Sequence, residues 1–221
     1  MQLLSVSGAA AELGVSPRRV RQMLSTGVLA GQRVGGAWVI EKHAVRATAG
    51  ARRPAHRPWS AASAWAVLAL ACGEEPAGSA AARRRARERY DRGLLESLDQ
   101  LRERAELRRF YAHPAAVPRI ADRPGVVRTG ASAAPEHGLG LAGAGPLVAY
   151  VRAEELARLL EDVPMEERAG NLNVCLRAVQ DVCWPFPSDV SVAPLPVVAV
   201  DLAESPNVRE RRLGLKMLGY P

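Results

Sequence analysis

Lysine is nearly missing from this chain: Lys42 and Lys216 are two of its thirty cations, and the rest are arginine. That bias, with abundant alanine, points to a GC-rich genome and makes any single arginine weaker testimony of phosphate binding than usual. Cysteine is scarce too. Cys72, Cys175 and Cys183 form no C-x-x-C pair and no disulfide framework, so free thiols in a reducing, cytoplasmic setting are expected. No apolar run is long enough to cross a bilayer: the most apolar stretch, 61–72, has only twelve residues and is bounded by Pro58 and Gly73, so a buried helix is expected there. The start has neither the basic residues nor the apolar run of a signal peptide.

Catalytic signatures are also lacking. His43, His56, His113 and His137 show no metal-ligand spacing, and no G-x-S-x-G, Walker or G-x-G-x-x-G motif occurs. Ser132 and His137 read as parts of a small-residue turn, and the Gly138–Gly145 run as a loop rather than a phosphate cradle. Asp201, inside V-A-V-D-L-A, reads as a buried, paired carboxylate held by a hydrogen bond to backbone. A non-enzymatic protein without cofactor or metal is the expectation.

What is present is a hydrophobic content of 48%, enough for a packed core, and a net charge of +7 distributed unevenly. Residues 1–113 carry 19 cations against 10 anions, whereas residues 114–221 carry 11 against 13. A basic half of this kind suits electrostatic approach to nucleic-acid phosphates.

The basic half opens with an ordered series of local signals over residues 5–41. Ala9–Leu13 favours a short helix, and Gly14 stands where a helix end wants a left-handed residue. Val15 plugs the corner, Ser16 is an N-cap and Pro17 suits the first helical position. In the helix that follows, Val20, Met23 and Leu24 recur at three and four residues and form an inner face. Arg18, Arg19, Arg21 and Gln22 are left to point outward. Gly27 closes the helix, and Gln32–Val34 and Ala37–Ile40 flank Gly35-Gly36, a two-residue hairpin turn. Trp38 and Ile40 share one face of that hairpin.

From Leu13 to Ile40 this series resembles the winged helix–turn–helix of the excisionase and MerR-like families. The resemblance implies that the second helix enters the major groove. Base or phosphate contacts then fall to Arg18, Arg19, Arg21 and Gln22 beside Ser16, and phosphate contacts to Arg33 and Lys42 on the wing. The bland alternative is a helical hairpin for protein docking, with the arginines as solvated charge.

Three segments are expected: a winged helix–turn–helix at 1–50, a basic linker and helical segment at 51–104, and an α+β domain with a small sheet at 105–221. In the linker, Arg52, Arg53 and Arg57 either touch phosphates or are simply solvated. Ser60 caps the apolar helix, and 79–101 reads as a helix interrupted near Gly93, with an arginine-rich start and a leucine stripe at 94–101. Strands are expected at 106–111, 126–129, 147–151 and 172–179, and helices at 115–121, 153–160, 194–204 and 207–218. Trp184-Pro185-Phe186-Pro187 either docks a partner or covers the core.

Segments 108–114, 126–134, 148–151, 171–179 and 193–206 together resemble the C-terminal domain of AbiEi-type antitoxins of type IV toxin–antitoxin systems and related actinobacterial regulators. That resemblance covers about residues 105–218 and departs from the pattern at the excisionase-like N-terminus and the helical insert at 59–104. It implies an autoregulating DNA-binding protein with a nucleotidyltransferase-type toxin as partner. The whole reads as a transcriptional regulator, homodimeric on double-stranded DNA, with no membrane association. The alternative is an interaction module that binds a toxin, DNA binding being secondary.

Overall fold

The computed structural model describes residues 3–25, 29, 31–42, 45, 57–141, 145–168 and 170–220. The chain divides into two compact units, Met1–Ala55 and His56–Pro221.

In the first unit, β1 (Leu3–Leu4) leads into α1 (Val6–Leu13) and α2 (Pro17–Ser25), followed by β2 (Gln32–Val34) and β3 (Ala37–Glu41). Helix α1 starts earlier than its alanines suggest, because the Ser5 hydroxyl accepts the Gly8 N–H at 3.1 Å and caps it. Gly14 takes φ 62°, and its N–H bonds back into the end of α1, which turns the chain sharply into α2. Ala9, Val20 and Ile40 are fully buried in one cluster with Leu13, Leu24 and Leu29. Strands β2 and β3 form the expected hairpin: Gly35 and Gly36 both have positive φ, as a two-residue turn of this twist requires. The structure adds β1, which pairs with β3 at Leu4↔Ile40 and makes a three-stranded sheet in the order β1-β3-β2. Two leucines at the chain's start carry no strand signal of their own; the ladder to β3 creates the strand. Gly27 lies outside the described residues, as do Arg52 and Arg53.

The second unit begins with α3 (Ala61–Ala71), α4 (Ala80–Tyr90) and α5 (Leu98–Leu101). Ser60 and Ser79 cap the first two, accepting the Ser63 and Ala82 N–H groups at 3.4 and 3.3 Å. Next come β4 (Glu106–Ala112), α6 (Val117–Ala121), β5 (Val127–Arg128), β6 (Leu147–Arg152) and α7 (Ala153–Asp162). Then follow β7 (Met165–Glu167), β8 (Val174–Val179), α8 (Leu195–Ala203) and α9 (Val208–Met217). The sheet order is β5-β6-β8-β4-β7; β6 and β8 run parallel, and the other neighbouring strands are antiparallel. The fold is α+β.

Alternation along β6 divides the core in two. Tyr150 faces a cluster with Trp65 of α3, Leu101 of α5 and Leu202 of α8, while Ala149 and Val151 face one with Ile120 of α6 and Leu159 of α7. Helices α3 and α4 therefore share a core with the sheet. This departs from the expected boundary near 104, because Trp59, Trp65 and Leu68 bury their apolar surface against the same cluster as Val197 and Val198. Residues 91–97 are turn rather than helix, yet Leu94, Leu98 and Leu101 still join that cluster. Ser132 lies within a 3-10 turn at Gly130–Ala133, and its hydroxyl accepts the Val148 N–H at 2.8 Å. Turns follow up to Gly138, as the small residues suggest, and His137 Nε2 meets the Ala193 carbonyl at 2.8 Å. Strand β7 is new: it borders β4 through charged residues, with Arg108 gripping Glu167 through both carboxylate oxygens at 3.0 and 2.6 Å. Among the described residues, no helix is long and apolar enough to cross a membrane.

Candidate nucleic-acid interface

Helix α2 separates its side chains cleanly. Val20 and Leu24 are buried and Met23 half-buried, while Arg18, Arg19, Arg21 and Gln22 are exposed. Arg18, Arg21 and Gln22 recur at three and four residues and so share one face of the helix. Ser16 is exposed at the helix start, where its hydroxyl accepts the Arg19 N–H at 3.3 Å. Arg19 donates from Nη1 to Gln22 Oε1 at 2.7 Å, which holds the two side chains in one arrangement. Helix α2 has no acidic residue in its first turn. Among the described residues, no carboxylate pairs with Arg18, Arg19, Arg21 or Arg33. Exposed guanidiniums without a carboxylate partner among the described residues, near a helix N-terminus, are an arrangement suited to donate to phosphate oxygens and base-edge acceptors.

On the hairpin, Arg33 faces Trp38 across the ladder, and its guanidinium lies 5.6 Å from the ring centroid. The ring supports the exposed cation without neutralising it, and among the described residues no carboxylate takes up the guanidinium, which suits it to phosphate. Lys42 differs. It is half-buried, and its ammonium lies 3.1 Å from Glu12 of α1. A phosphate at Lys42 would have to compete with that carboxylate. The sequence groups Lys42 with the wing cations and gives no sign of Glu12, because β3 meets α1 only after the chain has folded back.

The strongest electrostatic feature of the second unit lies inside it. Arg104 is fully buried; it donates from Nε to the Tyr150 hydroxyl at 2.9 Å, and its two terminal nitrogens reach Glu204 at 2.7 and 2.8 Å. It also bonds Asp201, which accepts from the Thr129 hydroxyl and from Tyr150 at 3.0 Å. Arg177 Nη2 donates to Glu204 at 3.1 Å, and its Nε lies 3.1 Å from Asp201 without hydrogen-bond alignment. Two arginines and two carboxylates thus balance in a buried box.

Burial disfavours the Arg104 charge, but Tyr150, Glu204 and Asp201 outweigh it and raise the guanidinium pKa. Burial likewise works against ionised Asp201, and Arg177 and Arg104 overcome it, holding the carboxyl below its ordinary range. Burial pushes the Tyr150 hydroxyl well up. Asp201 is therefore the buried, paired carboxylate that its apolar neighbours suggest, with one correction: side chains hold it rather than backbone. Nothing in the sequence around Arg104, Arg177 or Glu204 signals the box, because its members come from segments up to 100 residues apart.

Comparison with known proteins bears on the first unit alone. A family model described as a helix-turn-helix domain matches residues 3–52. The chain carries a helix-turn-helix domain. The match spans β1 through the wing and includes Ser16, Arg18, Arg19, Arg21, Gln22, Arg33 and Lys42. No curated protein and no solved structure matches the chain.

Proposed function

We propose that this protein is a sequence-specific DNA-binding transcriptional regulator that controls a small operon, its own included. Helix α2 enters the major groove and Arg33 follows the phosphate backbone. The observation that carries this reading is the division of α2: a buried Val20–Leu24 face behind an exposed Arg18, Arg21 and Gln22 face. A docking hairpin would turn an apolar face outward; this one turns guanidiniums and an amide outward. A homodimer on paired half-sites about one helical turn apart is the form in which such modules gain specificity.

The test is a mobility-shift titration on the DNA upstream of the gene. Wild type binds, increasing salt weakens binding, and Arg18→Ala and Arg21→Ala weaken it further. Equal affinity of both variants and wild type would overturn the assignment of α2 as the reading helix.

The finer reading, an antitoxin whose second unit binds a nucleotidyltransferase-type toxin, rests on the resemblance of residues 105–218. A core of its own gives that unit the means to act as a separate binding module. Co-expression with the neighbouring gene product, followed by co-purification, tests it. A second unit that retains no partner under these conditions leaves only the regulator. The reading contains no catalytic role for any residue.

A further inference from the structure

Helix α3 is apolar on every side but for Ser63 in its first turn, although a helix at the edge of a core needs only one apolar side. Its Ala64, Val67 and Leu68 side is accounted for, because all three are buried in the core. The other side is only partly covered: Trp65 is buried in the core as well, but Ala62 is exposed and Ala66 and Ala69 are half-buried. Ala62, Trp65, Ala66 and Ala69 recur at three, four and seven residues, and this stripe lines a cavity of about 470 Å³. The facing wall comes from the aromatic-proline loop, in which Trp184 and Phe186 pack edge to face at 5.2 Å. Three alanines stand where larger residues would fill the space. The volume falls within the range of small-molecule sites, roughly 300–1,000 Å³.

The rim supplies a polarity. Glu74 and Glu75 stand together at the edge of the cavity. Glu75 is committed, gripped by Arg87 at 2.7 and 2.9 Å. Among the described residues, Glu74 has no cationic partner and is exposed. Burial, then Glu74, pushes the neighbouring Cys72 thiol up to about 11, so the wall beside the carboxylate remains uncharged at neutral pH. Arg83 also lies 4.0 Å from Glu75, so among the described residues Glu74 is the one rim carboxylate without a cation in ion-pair reach, at the mouth of an aromatic and alanine-lined hollow.

We propose that this cavity binds a small amphipathic organic cation, a protonated amine carried on an aromatic body. The body lies between α3 and Trp184–Phe186, and the ammonium lies against Glu74. Apolar burial supplies most of the affinity; the Trp184 ring already carries the Arg152 guanidinium 4.9 Å from its centroid, so the charge preference rests on Glu74. Glu74 selects the charge. The proposal stands apart from the DNA-binding reading and does not depend on it.

Calorimetric titration of the full-length chain, without DNA, tests it with two probes of one shape: 2-naphthylmethylammonium and neutral 2-naphthylmethanol. Wild type is expected to bind one equivalent of each, the cation roughly fivefold more tightly, as a partly exposed charge pair allows. Glu74→Gln removes that preference and leaves the alcohol's affinity unchanged. Ala69→Leu, which fills the hollow, weakens both probes by about tenfold or more. Thermal unfolding of each variant checks that it is folded, and the Glu74→Gln comparison decides by itself if Ala69→Leu is not. Equal affinity of wild type for the two probes overturns the proposal. So does a preference that survives Glu74→Gln, unchanged binding to a folded Ala69→Leu, or no binding at millimolar concentration.

Discussion

The two units use arginine in opposite ways. On α2 and the wing, Arg18, Arg21 and Arg33 are exposed, and no carboxylate among the described residues pairs with them. In the second unit, Arg104 and Arg177 are buried between Asp201 and Glu204, their charge cancelled within the fold. The residue type is the same; the partners differ. In a chain with only two lysines, the count of arginines therefore says little about nucleic acid, and the presence or absence of an internal carboxylate says much. A guanidinium without an internal partner is available to phosphate, whereas one that completes a buried box is needed for the fold.

Substitutions at the two kinds of arginine should therefore separate stability from binding. The largest effect is expected at Arg104. Its removal leaves Asp201, buried, and Glu204, partly buried, to share Arg177 alone among the described residues, so Arg104→Ala should cost about 3–5 kcal/mol in a urea unfolding curve. A loss under 1 kcal/mol would mean that water or a rearranged Arg177 takes over, and the box would not be the fixed structure described.

Gly214 comes next. A Cβ there would lie 2.2 Å from the Ala203 backbone nitrogen, where α8 and α9 touch. Gly214→Ala should cost about 1–3 kcal/mol by the same unfolding measurement. A wild-type midpoint would show that the two helices can part without cost.

The box should also respond to acid. The folded pKa of Asp201 lies below its ordinary 3.8, so its ionised form contributes stability in full above that value and loses it as pH falls through the lower folded pKa. Asp201→Asn should flatten the stability–pH profile below about pH 4, whereas Glu167→Gln, which alters a surface pair, should leave it nearly unchanged. Parallel acid profiles for wild type and Asp201→Asn would remove the box from the account of acid stability. The smallest effect belongs to the wing: Arg33→Ala should leave unfolding unchanged and reduce the salt slope of DNA binding by about one. An unaltered slope would take Arg33 off the phosphate backbone.

The same contrast explains what could be read from the sequence. The helix–turn–helix was legible because its signals are local: Gly14 after the helix, Ser16 and Pro17 before the next, Gly35-Gly36 between two alternating runs. Helices α3, α8 and α9 were legible for the same reason, each beginning at a residue that suits a helix start: Ser60, Pro194 or Asn207. What escaped depends on distant partners. Strands β1 and β7 exist only through their ladders, and the Arg104 box joins residues that have no sequence proximity. The boundary near 104 was misplaced because α3 is apolar on every side but for Ser63, and its sequence does not say which domain it enters. Of the candidate interface, the exposure of Arg18, Arg19, Arg21 and Gln22 follows from helical spacing alone, while the Glu12 partner of Lys42 does not.

The most direct test sets one exposed cation from each unit side by side. Among the described residues Arg21 stands on α2 without a carboxylate partner, whereas Arg158, also exposed, lies on α7 beside Glu154 and Glu155. Fluorescence anisotropy on the upstream DNA should show Arg21→Ala weakening binding by about 1–3 kcal/mol, with Arg158→Ala within about 0.5 kcal/mol of wild type. Equal losses in the two variants would mean that binding follows overall charge, and would contradict the assignment of α2 as the surface that reads DNA.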